Sequence, residues 1–208
     1  MAGLQAAQVS NGDFMETIKL SAKNIYLKPV SDEDLSYLYS KECDLSEKHL
    51  WSDNRTIPIS FEYKDEFWDR LKHFYHVFFM IYSKQNRCPI GFVYSYQLNQ
   101  NDKVCYMTIY IEKDYRKSFV SAVAGTLFCD YLFSFYDLRK IYALVYDYNT
   151  ASKDFLLHAG FVEEGRLKEH RYYSGKYYDM ITLALYRTIF YTKMKKLLYN
   201  IKKEVNDL

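Results

Sequence analysis

The amino-acid sequence predicts a single α/β domain in which helices flank a mixed β-sheet. Apolar and polar residues alternate in several short runs, as at Ile141, Ala143 and Val145, with the period of a half-buried strand. Runs with helical spacing of apolar residues lie between these strands, and a hairpin pattern follows them. The chain has 208 residues, 49% of them hydrophobic, which is enough for one sizeable core.

The first half of the chain predicts two helices and four strands. The strand patterns lie at residues 24–30, 77–83, 90–98 and 103–111. Ser31 and Asp34 have the spacing of a capping box, so a helix begins there and ends near Ser40. Residues 41–61 are polar and show no continuous helix or strand pattern, which is typical of a binding loop. Residues 62–73 carry apolar groups at helical spacing.

The second half predicts a long helix, a strand, a short helix, a hairpin and a last helix. In chain order these are a helix over residues 118–135, a strand from residue 141, a helix ending at residue 159, a hairpin over 162–186 and a Lys-rich helix over 188–205. Asn149 and Thr150 are suited to cap the short helix, and Gly160 is suited to end it in a left-handed conformation. This order predicts a mixed sheet.

Composition excludes several function classes. Lys and Arg (28) nearly balance Asp and Glu (26), and the net charge of +2 argues against a nucleic-acid partner. No run reaches membrane-spanning length, and no secretory segment is evident. The cysteines show neither paired nor metal-ligand spacing: Cys43, Cys88, Cys105 and Cys129. We therefore expect no metal site, a cytoplasmic protein with reduced thiols, and a flexible tail over residues 1–20.

Two polar residues follow the strand that begins at Ile141. Asn149 stands at the carboxyl end of this strand and Ser152 three residues later on the short helix. Ligands of open α/β sheets bind beyond the carboxyl ends of strands, so both residues are candidates for a site. Helix capping also explains both residues, and the two roles are compatible.

The segment at residues 141–165 resembles the end of the GNAT-type acyl-CoA N-acyltransferases. The pattern is a strand, N-x-x-S and G-F-x-x-E-G, with matches at Asn149, Ser152, Gly160, Phe161, Glu164 and Gly165. It is most similar to the RimJ/RimL-like branch, which acetylates the N-termini of ribosomal proteins. The resemblance extends from residue 25 to about residue 186, with Lys28 replacing the usual Arg. It implies a mostly antiparallel sheet with a splayed strand pair, a GNAT domain over residues 21–187 and an added helix over 188–208.

The resemblance also implies that the loop before the 118–135 helix binds the pyrophosphate of acetyl-CoA. The family has R-x-x-G-x-G there, and backbone N–H groups at the helix start hold the phosphates. Arg116 matches the Arg, but Phe119 and Ser121 replace the two glycines, which let backbone approach phosphate closely. Three alternatives follow: a reshaped loop that still binds acetyl-CoA, a different acyl donor, or a site that binds none.

The site residues implied by the resemblance lie in three segments. The cofactor-binding set is Ile109, Tyr110, Ile111, Arg116, Lys117, Ser118, Phe119, Val120, Ser121, Ala122, Asn149 and Ser152. The strand holding residues 106–111 would offer backbone groups to the pantetheine arm, and Asn149 would hold that arm or a water. Ser152 would protonate the departing thiolate, because Leu156 stands where many relatives have a catalytic Tyr.

No general base is evident in the sequence. Many relatives have a Glu as general base where this sequence has Tyr106, so Glu112, at the end of the same strand, is only a weak substitute for it. Glu169 and His170 are further candidates for the base. A water relay would remove the need for a base.

The sequence thus predicts transfer of an acetyl group from acetyl-CoA to a primary amine. The acceptor is a small molecule, such as an amino sugar nucleotide or an antibiotic, or a protein N-terminus. The candidate pocket residues are Trp51, Trp68, Tyr172 and Tyr173, and the neighbouring Arg171 slightly favours a sugar nucleotide. The alternatives are a non-catalytic binding or assembly protein on the same scaffold, or a different acyl donor. The sequence is also compatible with a homodimer of this protein.

Overall fold

The computed structural model describes residues 20–22, 24–52, 69, 73–116 and 118–206. The strands are β1 (Ile25–Pro29), β2 (Val77–Ser83), β3 (Pro89–Asn99), β4 (Val104–Ile111), β5 (Lys140–Tyr146), β6 (Val162–Tyr173) and β7 (Lys176–Tyr186). The helices are α1 (Leu35–Glu42), α2 (Val120–Phe135), α3 (Thr150–Ala159) and α4 (Arg187–Asn206). Of the expected elements, the helix at residues 62–73 and the tail at 1–20 lie almost entirely outside the described residues.

The described strands form one seven-stranded sheet in the order β1-β2-β3-β4-β5-β7-β6. Every neighbouring pair is antiparallel except β4 and β5, which run parallel. These two strands pair only at Val104–Lys140, Cys105–Ile141 and Tyr106–Tyr142. Beyond those pairs they diverge, and we call the gap between residues 107–111 of β4 and 143–146 of β5 the wedge. The predicted mixed, mostly antiparallel sheet with a splayed pair is confirmed.

Side chains on the two faces of the sheet enter different hydrophobic clusters. Met107 of β4 belongs to the large cluster that also contains Phe128 of α2 and Phe190 of α4. Tyr110, on the opposite face of β4, belongs to the smaller cluster beneath α1, which includes Leu38. This alternation follows from the period of two of a strand. The wedge therefore opens between a helix-covered face and an aromatic-rich face.

The C-terminal helix α4 packs along α2 in the opposite direction. Phe190 near its start contacts Phe133 near the end of α2, with ring centroids 5.4 Å apart. One helical turn later, the Thr126 hydroxyl lies 3.7 Å from the Met194 sulfur. Its later turns therefore approach the start of α2. No helix among the described residues has both the length and the apolar character needed to cross a bilayer.

Two buried ion pairs brace the sheet away from the wedge. The Ser31–Asp34 capping box is present, and the fully buried Asp34 carboxylate lies 3.2 Å from the Lys28 ammonium, so Lys28 fills the place of the family Arg. At the other side, the buried Lys140 ammonium lies 2.6 Å from the Glu164 carboxylate. Glu164 of the G-F-x-x-E-G pattern thus has a structural partner at the start of β5.

Candidate active site

A cavity of about 130 Å³ occupies the wedge, and we call it the wedge cavity. Residues 107–109 of β4 and 143–146 of β5 form its sides, and α3 closes one end. Strand edges that face a partner carry N–H and C=O groups, and beyond Tyr106 and Tyr142 these groups have no partner strand. The wedge therefore offers backbone donors and acceptors to a ligand that lies between the two strands.

Asn149 and Ser152 both line the wedge cavity. The side-chain Oδ1 of Asn149 accepts a hydrogen bond of 3.3 Å from the Ser152 backbone N–H, so Asn149 caps α3. The side-chain Nδ2 of Asn149 donates to the Leu50 backbone carbonyl at 3.1 Å and connects the 48–52 segment to the end of β5. The Ser152 hydroxyl forms no hydrogen bond within the described part of the chain. The capping role is therefore present, and it leaves the serine hydroxyl free to meet a ligand.

The ring of Phe119 does not fill the wedge. Phe119 is the N-cap residue of α2, with φ −65° and ψ −2°, and its side chain is 84% exposed. No described residue between 112 and 122 has a positive φ, so neither Phe119 nor Ser121 adopts the conformation that favours glycine. The Val120 N–H meets the Ser118 hydroxyl at 3.4 Å, whereas helix geometry leaves the N–H groups of Ser121 and Ala122 unpaired within the helix.

Arg116 points back into the protein. Its guanidinium forms an ion pair with Glu47, and its Nε donates to the Ile111 carbonyl at 2.8 Å. The Tyr110 hydroxyl donates to the same Glu47 carboxylate at 2.9 Å. Burial opposes ionisation of Glu47, but the hydrogen bonds from Arg116 and Tyr110 outweigh it and lower the pKa of that carboxyl. Arg116 therefore fixes the loop before α2, and Lys117 lies outside the described residues.

The expected base candidates do not line the wedge cavity. Glu112 accepts from the Tyr37 hydroxyl at 2.8 Å and lies 2.6 Å from the Lys41 ammonium. Glu169 and His170 are exposed on β6, and the Glu169 N–H donates to Asp179 at 2.9 Å. The structure therefore brings Asn149, Ser152 and the β4 backbone together, while Glu112 is held in an ion pair with Lys41 outside the lining of the wedge cavity.

An aromatic wall forms the side of the wedge cavity opposite α3. Trp51, Phe74, Tyr75, Tyr94 and Tyr96 contribute to it. The Tyr75 and Tyr94 ring centroids lie 4.4 Å apart, and the buried Trp51 Nε1 has no partner among the described residues. The period-two spacing of Tyr94 and Tyr96 in β3 is the sequence signal for this wall. Of the expected pocket residues, Trp51 belongs to it and Trp68 lies outside the described residues.

A second aromatic group joins the 48–52 segment to the β6–β7 hairpin. His49 stacks on Tyr173 with centroids 4.4 Å apart, and the Tyr148 hydroxyl donates to the His49 carbonyl at 2.8 Å. Burial lowers the pKa of His49, which favours the neutral imidazole. Tyr172 faces solvent, and the Arg171 guanidinium lies 5.2 Å from the ring centre of Tyr146, which lines the wedge cavity. Sequence patterns gave no signal for His49.

A sequence profile for the acetyltransferase (GNAT) domain matches residues 39–182. The chain therefore belongs to the GNAT acetyltransferase family. Family membership makes it an acyltransferase whose co-substrate is acetyl-CoA, and it confirms the GNAT prediction. A comparison with curated protein sequences finds no match.

Solved structures of spermidine N-acetyltransferases share the fold. Spermidine N-acetyltransferase from Vibrio cholerae in complex with CoA and spermine has a TM-score of 0.72 and 22% identity, covering 80% of this chain and 98% of that one. A chimera of this enzyme, SpeG, with hSSAT gives 0.69 and 21%, covering 81% and 98%. The same bacterial enzyme with manganese ions gives 0.68 and 19%, covering 82% and 96%. At these identities the likeness establishes the fold.

Proposed function

We propose that this GNAT protein transfers the acetyl group of acetyl-CoA to the primary amine of a small molecule, with an amino sugar nucleotide or an amine-bearing antibiotic as the preferred acceptor. Residues 21–187 would form the catalytic domain, and residues 188–208 an added helix. One observation carries the proposal: the wedge cavity joins the Asn149–Ser152 pair to an aromatic wall across an unpaired strand edge. Donor and acceptor could thus meet between β4 and β5.

The donor would lie along β4. Backbone groups at Ile109, Tyr110 and Ile111 would bind the pantetheine arm, and an N–H of this edge would polarise the thioester carbonyl. The diphosphate would bind at the start of α2, where the N–H groups of Ser121 and Ala122 have no helical partner. The exposed ring of Phe119 leaves this approach open.

The chemistry would need few protein groups. The neutral amine attacks the thioester carbonyl carbon, the C–N bond forms, and the C–S bond breaks. The Ser152 hydroxyl donates its proton to the leaving thiolate, and Asn149 fixes the first turn of α3 that carries Ser152. Because Glu112 is engaged by Lys41, the proton lost by the amine would leave through water in the wedge cavity and return to Ser152.

The wall favours an acceptor with a flat or apolar body. The described residues that line the wedge cavity include no Asp, Glu, Lys or Arg. The nearby acids Glu47 and Glu112 are paired with Arg116 and Lys41, so they offer little to a polycation such as the spermine bound by the Vibrio cholerae enzyme. Aromatic faces instead stack on sugar or nucleobase rings. A protein N-terminus is the second candidate acceptor, because the N-x-x-S and G-F-x-x-E-G pattern resembles the RimJ/RimL-like branch.

The decisive experiment measures CoA release with four acceptors: a nucleotide-linked amino sugar, an aminoglycoside, spermidine and a ribosomal-protein N-terminal peptide. We expect turnover with the first or the second. Preference for the peptide would move the protein to the ribosomal branch, and preference for spermidine would overturn the argument from charge. No turnover, together with no rise in melting temperature at millimolar acetyl-CoA, would overturn the proposal.

A serine variant tests the proton donor. Ser152→Ala should lower kcat about 100-fold, within the range for general acids, without changing the melting temperature. Ser134→Ala, in the last turn of α2, is the matched control because it makes the same substitution at an exposed helical position outside the wedge cavity. It changes none of the residues assigned to the donor or to the wedge cavity, so kcat should stay unchanged. An unchanged kcat in Ser152→Ala would remove this residue from the mechanism.

A further inference from the structure

A cleft of about 320 Å³ opens beside the wedge cavity, and we call it the amide cleft. The segment before β2 and the end of β3 form it. Its principal lining residues are His73, Phe74, Tyr75, His76, Gln97 and Gln100. Phe74, Tyr75 and Gln97 also line the wedge cavity, so the two spaces border each other. A ligand that places its amine in the wedge cavity can therefore extend into the amide cleft.

Gln97 stands at an irregular point of β3. The pairing of β3 with β4 is interrupted between Tyr96 and Asn99, and Gln97 has a φ of 49°, in the left-handed region. This conformation is unfavourable for a residue with a side chain, and residues that adopt it cluster at functional sites. An irregularity of this kind also breaks the alternation of side chains along a strand. The backbone thus places Gln97 at the border between the wedge cavity and the amide cleft.

The amide cleft offers hydrogen-bonding groups without formal charge. The side-chain amides of Gln97 and Gln100 form no hydrogen bond with another described residue, and each amide has both donors and an acceptor. By contrast, the Asn99 amide of the same hairpin donates to Asp102 at 2.7 Å. The described lining of the cleft contains no Asp, Glu, Lys or Arg. These polar groups suit an uncharged ligand with donors and acceptors along one edge.

The amide cleft also presents an exposed aromatic ring. Phe74 is apolar, yet it is 59% exposed. Its ring lies nearly parallel to that of Tyr96, with an interplanar angle of 17° and centroids 6.3 Å apart, and Tyr75 meets it edge-on at 5.3 Å. An exposed apolar ring at the border of two cavities favours a flat ligand that covers it.

We propose that the amide cleft binds the nucleobase of the acceptor, so that the substrate is a nucleoside or nucleotide with a primary amine on its sugar. This inference rests on the proposed function and selects one acceptor class within it. The base stacks on Phe74, and the Gln97 amide forms hydrogen bonds with the edge of the base. The described lining of both cavities contains no Lys or Arg, so the base rather than a phosphate supplies the affinity. An aminoglycoside has no planar ring with such an edge.

Matched acceptors test the inference in the full-length protein. One pair is 3′-amino-3′-deoxyadenosine and methyl 3-amino-3-deoxyriboside, which has the same amine but no base, and the corresponding thymine pair repeats the comparison with a pyrimidine. CoA release gives kcat and KM for each. The base should lower KM about tenfold in at least one pair and leave kcat similar, because stacking stabilises the bound ground state.

A binding measurement reports the same cleft without turnover. Calorimetry gives the Kd of thymidine and of adenosine, neither of which carries the reactive amine. Saturating CoA is present in both titrations, so that the adenine site of the donor is already filled. We expect at least one of these nucleosides to bind, and we expect the one that binds to match the base that lowers KM.

Two variants remove the contacts separately. Gln97→Ala should raise the KM of the aminonucleoside about fivefold and Phe74→Leu about tenfold, with a much smaller change for the riboside. Gln85→Ala and Phe135→Leu are the matched controls, because they make the same substitutions at exposed positions outside both cavities. Gln97→Gly removes the amide and fits the positive φ, so it replaces Gln97→Ala if that variant fails to fold. Melting curves report the folding of each variant.

The outcomes separate the inference from the proposed function. If amines are acetylated but the base lowers KM in neither pair, the inference is wrong and the proposed function stands. If the gain persists in both Gln97→Ala and Phe74→Leu, the base lies elsewhere and the inference is also wrong. If a nucleoside binds and Gln97→Ala weakens it, but no amine is acetylated, the cleft is a base site and the proposed function fails. If no nucleoside binds and no amine is acetylated, both are wrong. Loss of the gain in these variants, but not in Gln85→Ala and Phe135→Leu, supports the inference.

Discussion

Asn149 has two hydrogen-bonding roles that substitutions can separate. Asn149→Ala removes the cap on the Ser152 N–H and the bond to the Leu50 carbonyl. Loss of a cap costs about 1 kcal/mol, and loss of a hydrogen bond costs about 1 kcal/mol more. For a chain of 208 residues, each kcal/mol corresponds to about 2–4 °C, so the melting temperature should fall by about 4–8 °C.

Asn149→Asp keeps the cap but cannot donate to the Leu50 carbonyl. It should therefore lose about 1 kcal/mol, close to half the effect of Asn149→Ala. Differential scanning calorimetry measures stability, and CoA release measures kcat/KM for acetyl-CoA. Asn101→Ala, an exposed asparagine in the β3–β4 turn, is the control and should change stability by no more than about 0.5 kcal/mol.

The results have distinct consequences. A melting temperature of Asn149→Ala equal to that of the wild type would refute both energies assigned here. If Asn149→Asp keeps the wild-type kcat/KM while Asn149→Ala loses it, activity needs only the cap. If both variants lose activity, the reaction needs the amide N–H, either on Leu50 or on the donor.

Three further predictions concern the ion pairs and the loop. Lys140→Met should destabilise the protein by about 3 kcal/mol in urea unfolding, because Glu164 is left without its cation, and adding Glu164→Gln should restore part of this loss. Hydrogen bonds from Lys140 and two tyrosines outweigh the effect of burial and lower the pKa of Glu164, and similar hydrogen bonds lower the pKa of Glu47. The two carboxylates therefore make their full contribution to stability above their unfolded pKa of about 4.3. This contribution is lost as the pH falls through the folded pKa. Urea titrations at successive pH values should show this fall, and a stability that is flat below pH 4 would contradict it. Phe119→Ala should change the Kd of acetyl-CoA by no more than about twofold because the ring is 84% exposed, and marked tightening would indicate that the ring obstructs the donor.

Local chemistry made much of the fold predictable. The Asn149 cap, the left-handed Gly160 with φ 104°, and the hairpin turn at residues 174–175 each depend on a few adjacent residues. The order of strands and helices followed in the same way from periodicity. The splayed strand pair came from the family resemblance, because no local pattern indicates where two parallel strands separate.

Long-range pairing made parts of the site unpredictable. Arg116 was expected to face phosphate, but its partner Glu47 is 69 positions away and no pattern links the two. Glu112 was a base candidate because it ends a strand, yet Tyr37, 75 positions earlier, and Lys41 engage it. Similarly, a cavity of about 250 Å³ lies where small residues on two helices, such as Gly125 and Ala159, meet under α4. Each residue is ordinary in its own helix.

The loss of the family glycines follows a physical logic in this structure. Glycine serves a phosphate loop by allowing a left-handed backbone and by removing a side chain from the ligand's path. Phe119 and Ser121, which stand at the two glycine positions, both have a negative φ, so these positions do not need a left-handed backbone. The path of the ligand stays free of a side chain in another way, because the Phe119 ring at the N-cap position points into solvent. The Arg116–Glu47 ion pair holds the preceding turn in place, and so the start of α2 keeps its N–H groups accessible although a bulky residue stands beside them.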